Sequence, residues 1–210
     1  MQTQLMFFSI IILVLSAAFH EYMHGWMADR LGDHTARDAG RLTINPLAHL
    51  DWFGSIFLPL LLVISGVPFV FGYAKPVPFN PYNLRSGKWG PAKVAAAGPL
   101  ANLLLAVGFG LLLRFTPLDP RLGLFIAYIV LINLVLMIFN LVPIPPLDGS
   151  KILLPLLPFR WQEHLLRLEM YGMALVILFI MLGMQFVWYV VLWLFQFIAG
   201  TDVLLRVFGL

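Results

Sequence analysis

His20-Glu21-Tyr22-Met23-His24 places two imidazoles four residues apart, with a carboxylate beside the first. On a helix, positions i and i+4 lie on one face, a turn apart. Two imidazoles so placed can reach one tetrahedral zinc ion, and Glu21 stands close enough to act on zinc-bound water. Zinc lowers the pKa of such a water to about 7. Glu21 can then take its proton, deliver hydroxide to a carbonyl, and hand the proton to a leaving amine. The five residues fall inside an apolar stretch, residues 5–31, that reads as helix. Ionisable groups in such a stretch are costly and are functional candidates by default.

Two His leave a catalytic zinc site one protein ligand short. The remaining candidates are Asp29, Asp33, His34, His49, Asp51, Asp148 and His164. Asp148 alone among the acids is embedded in a long apolar context, between Ile144-Pro145-Pro146-Leu147 and residues 153–158. The competing reading of Leu147-Asp148-Gly149 is a turn with the Asp as a helix N-cap. His49 is the second choice, against a reading as an ordinary interfacial loop His.

The elements that must carry these residues are set by composition. The chain has 210 residues, 61% hydrophobic and 11% charged, with mean hydropathy +0.92. A soluble domain carries about 25% charged residues, so lipid is the solvent for most of this chain. There is no Cys, hence no disulfide framework, thiolate site or Cys nucleophile. The net charge of +3 is scattered, and no basic run is dense enough for nucleic acid. Met1-Gln2-Thr3-Gln4 lacks the positive start of a signal peptide. Apolar segments cover residues 5–31, 53–71, 92–115, 122–142 and 171–199, the third opening with Ala97-Gly98-Pro99-Leu100-Ala101-Asn102 and the fourth carrying Asn133 and Asn140. Alternation at Leu42 and Ile44 suggests a short strand stopped by Asn45-Pro46. Residues 159–169 are amphipathic and read as interfacial. The expected architecture is an all-α polytopic membrane protein, with about four full spans, a re-entrant segment, and short strands near the active site. One integral-membrane domain fills 1–210, its catalytic core about 5–158, followed by an interfacial helix and span over 159–199.

Together the motifs resemble the site-2 proteases, intramembrane zinc metalloproteases that cleave transmembrane substrates. The resemblance rests on His20-Glu21-x-x-His24, on Ala97 to Asn102, and on Phe139-Asn140-Leu141-x-Pro143-x-Pro145-Pro146-Leu147-Asp148-Gly149. Gly40-Arg41-Leu42-Thr43-x-Asn45-Pro46-Leu47-x-His49 and Tyr73-Ala74-Lys75-Pro76-Val77-Pro78 look like the small bacterial branch. The resemblance spans about residues 10–155. It implies one Zn2+ held by His20, His24 and Asp148, with Glu21 as the base. It also places Asn140 near the metal, where it would stabilise an oxyanion or orient substrate. The alternative for Asn140 is a helix-to-helix hydrogen bond to Asn102. Implied partners are a membrane-protein or peptide substrate and the bilayer, in a bacterial inner membrane. The PDZ and CBS domains of many relatives have no counterpart here, and nothing sets an oligomeric state. A transporter reading would want inverted repeats and midplane acids in several spans, and neither is visible. A catalytically silent scaffold would not need Glu21 beside all three ligands.

Topology can be argued by parity. His20 and His24 lie near the end of the first span, and Asp148 follows the fourth segment, so both ends must share one face. A full crossing by 53–71 would separate them by about 30 Å. A re-entrant 53–71, turning at Gly66 and Pro68, brings them together. It also puts ten of the thirteen Lys and Arg on the face that holds the site, against seven and six for a full crossing. The positive-inside rule then places that face in the cytoplasm and the N-terminus outside. Strand edges at Arg41 to Asn45 or Val70 to Pro78 would receive an unwound substrate by β-augmentation.

Overall fold

The computed structural model of the chain describes residues 2–57, 60, 61, 64, 65 and 74–203. Four long helices carry it: α1 (Gln2–Arg30), α3 (Gly90–Phe115), α4 (Pro120–Leu141) and α7 (Gly172–Ala199). All four are long and apolar enough to cross a membrane. Shorter helices are α2 (Thr35–Asp38), α5 (Asp148–Leu153) and the amphipathic α6 (Phe159–Leu168).

Local chemistry sets the helix ends. α1 stops at Gly32 in a Schellman turn, with Gly32 N–H donating to Asp29 O and Asp33 N–H to Ala28 O. Asp119 caps α4 by accepting from Arg121 N at 2.9 Å, with Pro120 at the first helical position. Pro143, Pro145 and Pro146 forbid α4 from continuing past Leu141.

Side-chain pairs fix the directions. Phe8 meets Phe125 at 4.6 Å between ring centroids, and Asn133 Nδ2 meets Ser16 Oγ at 3.0 Å, so α1 and α4 run parallel. α3 runs against both, with Asn102 level with His20 and Val94 level with His24. α7 starts beside Pro146 and ends at α3's C-terminus, where Arg114 donates to Phe197 O at 3.0 Å. The buried core lies between α3, α4 and α7, built from Ala106, Ile126, Val130, Leu134, Val187, Val191 and Phe195. On outward helix faces Phe7, Ile11, Met181, Leu182 and Phe186 stand exposed. In water so much bare apolar surface would drive association. In lipid it meets a solvent of its own kind.

The C-end of α1 and the N-end of α3 therefore lie at the same end of the bundle. Arg85 N–H donates to Leu31 O at 2.9 Å, and buried Asp33 accepts from Asn80 N and Asn83 Nδ2. Hydrogen bonds to Asp33, those from Thr35 included, outweigh its burial and hold its carboxyl below the usual range.

The expected strands are not formed among the described residues. Residues 41–45 and 74–78 still flank α1, with Leu42 and Val77 both packed at Gly25. The missing ladder has a cause in its donors. Pro76 and Pro78 have no N–H, Lys75 N–H is committed to His49 O, and Val77 N–H to Glu21. Residues 70–73 lie outside the described residues. So do 58, 59, 62, 63 and 66–71 of the expected re-entrant segment; its first residues, 53–57, belong to a π-helical turn over Trp52–Phe57.

Candidate metal centre

The site forms where α1, α3 and the N-terminus of α5 meet. His20 and His24 project from α1 toward α3, their Nε2 atoms 3.0 Å apart. Asp148, the first residue of α5, brings Oδ2 to 3.1 Å from His20 Nε2 and 3.2 Å from His24 Nε2. The three donors make a nearly equilateral triangle. Zinc–nitrogen and zinc–oxygen bonds of about 2.0–2.1 Å in a tetrahedron require donor–donor edges near 3.3 Å, and the observed edges fit a zinc-sized ion.

The outer hydrogen bonds make the same point chemically. His20 Nδ1 lies 2.6 Å from Asn102 Oδ1, and His24 Nδ1 lies 2.7 Å from Val94 O. Both partners are acceptors, so both Nδ1 atoms carry a proton, and in the neutral rings both Nε2 atoms present lone pairs. Two lone pairs and a carboxylate oxygen then face one another inside a buried pocket. Only a cation reconciles them. Glu21 completes the cluster: ligand atoms of His20, Glu21 and His24 lie within 4.8 Å of one another. Its Oε2 accepts from Val77 N–H at 3.0 Å.

Two glycines allow this approach. A Cβ on Gly98 would stand 2.5 Å from His20 Nε2 and 2.6 Å from His24 Cε1. A Cβ on Gly149 would stand 2.2 Å from Leu141 O, so only glycine lets α5 fold back against the end of α4 and present Asp148.

The other third-ligand candidates are engaged elsewhere. Asp29 pairs with His34 and Arg37. Asp33 holds the 80–83 turn, and Asp51 accepts from Gly54 N at 2.7 Å. His49 Nε2 donates to Thr43 O at 2.7 Å, and exposed His164 bonds Arg160 O. Asn140 Nδ2 donates to Leu136 O, one turn back, at 2.9 Å. The alternative for Asn140, a bond to Asn102, is not made; Asn102 Nδ2 donates to Asn133 Oδ1 instead, because α3 and α4 align those two residues at one depth. Sequence reading missed Gly98 and Asn102 as parts of the centre. Their signal was present: Gly98 and Asn102 are themselves an i, i+4 pair, on the helix face turned to the His pair.

The chain is also similar to known proteins along its length. The family model for peptidase family M50 matches residues 118–184. The chain is 36% identical over 98% of its length to YwhC of Bacillus subtilis, covering 92% of that protein. It is 32% identical over 93% of its length to Rip2 of Mycolicibacterium smegmatis, covering 76% of it. A Methanocaldococcus jannaschii relative is 33% identical over 73% of this chain and 76% of its own. All three are named as candidate zinc metalloproteases. No solved structure matches the chain. Identity of this extent along nearly the whole length, with the M50 match, places the chain in peptidase family M50, the site-2 protease family.

Proposed function

We propose that this chain is an intramembrane zinc peptidase that hydrolyses peptide bonds in or near the transmembrane segments of membrane-protein substrates. One zinc per chain is held by His20, His24 and Asp148, within one integral-membrane domain over 1–210. The observation that carries this is the convergence of three lone-pair donors within 3.2 Å at the end of a span, with both Nδ1 atoms committed outward.

Bound zinc supplies a water acidified to a pKa near 7 and a Lewis acid for the scissile carbonyl. Glu21 takes the proton of the attacking water and returns it to the leaving amine. The Val77 N–H holds Glu21 Oε2 and so fixes the plane of the carboxylate before substrate arrives. Leu42 and Val77, from residues 41–45 and 74–78, pack against α1 at Gly25. A substrate helix has its carbonyls hydrogen-bonded internally and must unwind to be cut. Asn140 is proposed to orient the unwound chain or its oxyanion. Continuing the Ser16–Asn133 register sets Asn140 level with Met23, the depth of the site.

Residues 31 and 85 meet at one end of the bundle, which supports a 53–71 segment that enters the membrane and returns on the same side. Ten of the thirteen Lys and Arg then share that side with the centre, which supports a site facing the cytoplasm of a bacterial cell. The test is metal analysis with cleavage of a transmembrane reporter. Wild type should hold one zinc and cleave; Glu21→Gln should hold it and not cleave; His24→Ala and Asp148→Ala should lose it. Full activity in Asp148→Ala would overturn the ligand assignment and make His49 the next residue to test.

A further inference from the structure

The metal centre continues inward as a buried polar chain that the chemistry above does not use. Asn102 and Asn133 have no exposed surface, and Ser16 is 5% exposed. Asn133 Nδ2 lies 2.9 Å from Ile129 O and 3.0 Å from Ser16 Oγ. Asn133 Oδ1 lies 2.9 Å from Asn102 Nδ2, and Asn102 Oδ1 lies 2.6 Å from His20 Nδ1.

The polarity of this chain is determined at its far end. A backbone carbonyl can only accept. Ile129 O therefore requires the nitrogen of the Asn133 amide, since the reverse orientation would press two oxygens together at 2.9 Å. That leaves Asn133 Oδ1 facing Asn102, which must answer with its own nitrogen. Asn102 Oδ1 is then the atom facing His20, and it demands a proton on Nδ1. His20 is left with a bare Nε2, the form that binds a metal. His24 reaches the same state directly, through Val94 O. Each ligand tautomer thus ends on a backbone carbonyl, one by direct contact and one through two asparagines.

We infer that Asn102 and Asn133 are positioning residues that set the His20 tautomer for zinc binding, with the Ile129 carbonyl as the source of the polarity. The inference rests on the zinc reading above. Direct outer partners of a ligating His typically contribute 10–100-fold in metal affinity. Asn102→Leu should therefore weaken zinc about 10–100-fold in chelator competition. Asn133→Leu, which touches no ligand, should weaken it by about tenfold, because Asn102 is then free to turn its nitrogen to His20. Asn102→Asp should restore near-wild-type affinity: it keeps an acceptor at His20 Nδ1, and as the neutral acid it also donates to Asn133 Oδ1. A role limited to packing would not be rescued by Asp.

The wild-type protein supplies an independent measurement. Nitrogen-15 spectra of metal-free, histidine-labelled protein, at a pH where both imidazoles are neutral, should show His20 protonated at Nδ1. A proton at Nε2 overturns the inference, as does wild-type zinc affinity in both Leu variants or an Asp variant as weak as Leu. If wild type holds no zinc, the zinc reading fails, and the metal-free spectrum still decides the relay.

Discussion

Gly98→Ala separates folding from metal binding at this centre. A Cβ there would sit 2.5 Å from His20 Nε2, against an ordinary contact of at least 3.4 Å. Something must move by about 0.9 Å, the difference between those two distances. The neighbours are the rims of both metal-facing imidazoles, and those rings are tied on their far sides to Asn102 and Val94. Metal sites tolerate about 0.2 Å in ligand distance, so the imidazoles cannot give way and still bind. The backbone term runs the other way, since Ala in place of Gly inside a helix gains about 0.5–1 kcal/mol. Overpacking of a buried contact costs about 1–3 kcal/mol. The metal-free variant should therefore fold, with a net loss of at most about 2.5 kcal/mol. Zinc affinity should fall at least about a hundredfold, the scale that 1 Å of misplacement carries in a preorganised site. Chelator competition alongside thermal melting of the metal-free protein reads both. Wild-type zinc affinity in a folded Gly98→Ala protein would refute the geometry.

Asn140→Leu removes an amide while keeping similar bulk; a substrate-facing role should lower kcat about 10²–10³-fold with melting preserved, whereas destabilisation with normal kcat would leave only the bond to Leu136 O. Asp33 ties residues 80–83 to the end of α1, and its native carboxyl titrates below its unfolded value. Its stabilisation is fully present above the unfolded pKa of about 3.9 and is lost as pH falls through the lower native value. Asp33→Asn should cost about 1–3 kcal/mol near neutrality and flatten the acid limb of melting temperature against pH; an unchanged limb would exclude Asp33 as its source. Because the native chain has no Cys, single-Cys labelling is unambiguous: Asp38→Cys and Ser86→Cys should label from one face and Thr116→Cys from the other, and opposite faces for the first two would rule out a returning 53–71.

The parts of the site legible in the sequence are those fixed by local spacing. His20 and His24 needed only a helix to share a face, and the apolar run guaranteed one. Asp148 stood out because nothing nearby would solvate it. No strand forms at 41–45 or among the described residues of 70–78: alternation at Leu42 and Ile44 marks a buried face, but a ladder needs free N–H groups, and on the second segment Pro76, Pro78 and the contact to Glu21 remove them. Asn102 was visible as a polar residue in an apolar helix, yet its partner was not. Choosing Asn133 over Asn140 requires knowing how α3 and α4 slide past each other, which depends on side-chain packing across two helices. Gly98 stood in the sequence only as part of the Ala97 to Asn102 motif; its role follows from what α1 presses against it.

The depth of Asp148 follows from helix length rather than from any contact it makes. Phe8 pairs with Phe125 and Ser16 with Asn133, so α1 and α4 keep a constant offset of 117 residues. The same offset carries His24 to Leu141, where α4 ends. An α4 longer by two turns would lift Asp148 about 11 Å past the imidazoles, at 1.5 Å per residue. Pro143 prevents that extension at the level of the second His. The chain then turns over through Pro145 and Pro146, and Gly149 lets it return against the carbonyls of Leu141 and Val142. The prolines end the helix where the proposed centre would take its third donor, and the glycine closes the turn tightly enough to bring Asp148 there. Substituting Pro143 alone should leave Asp148 near the centre, because Pro145 and Gly149 still impose the return. Gly149→Ala meets a carbonyl oxygen at 2.2 Å and displaces the donor itself.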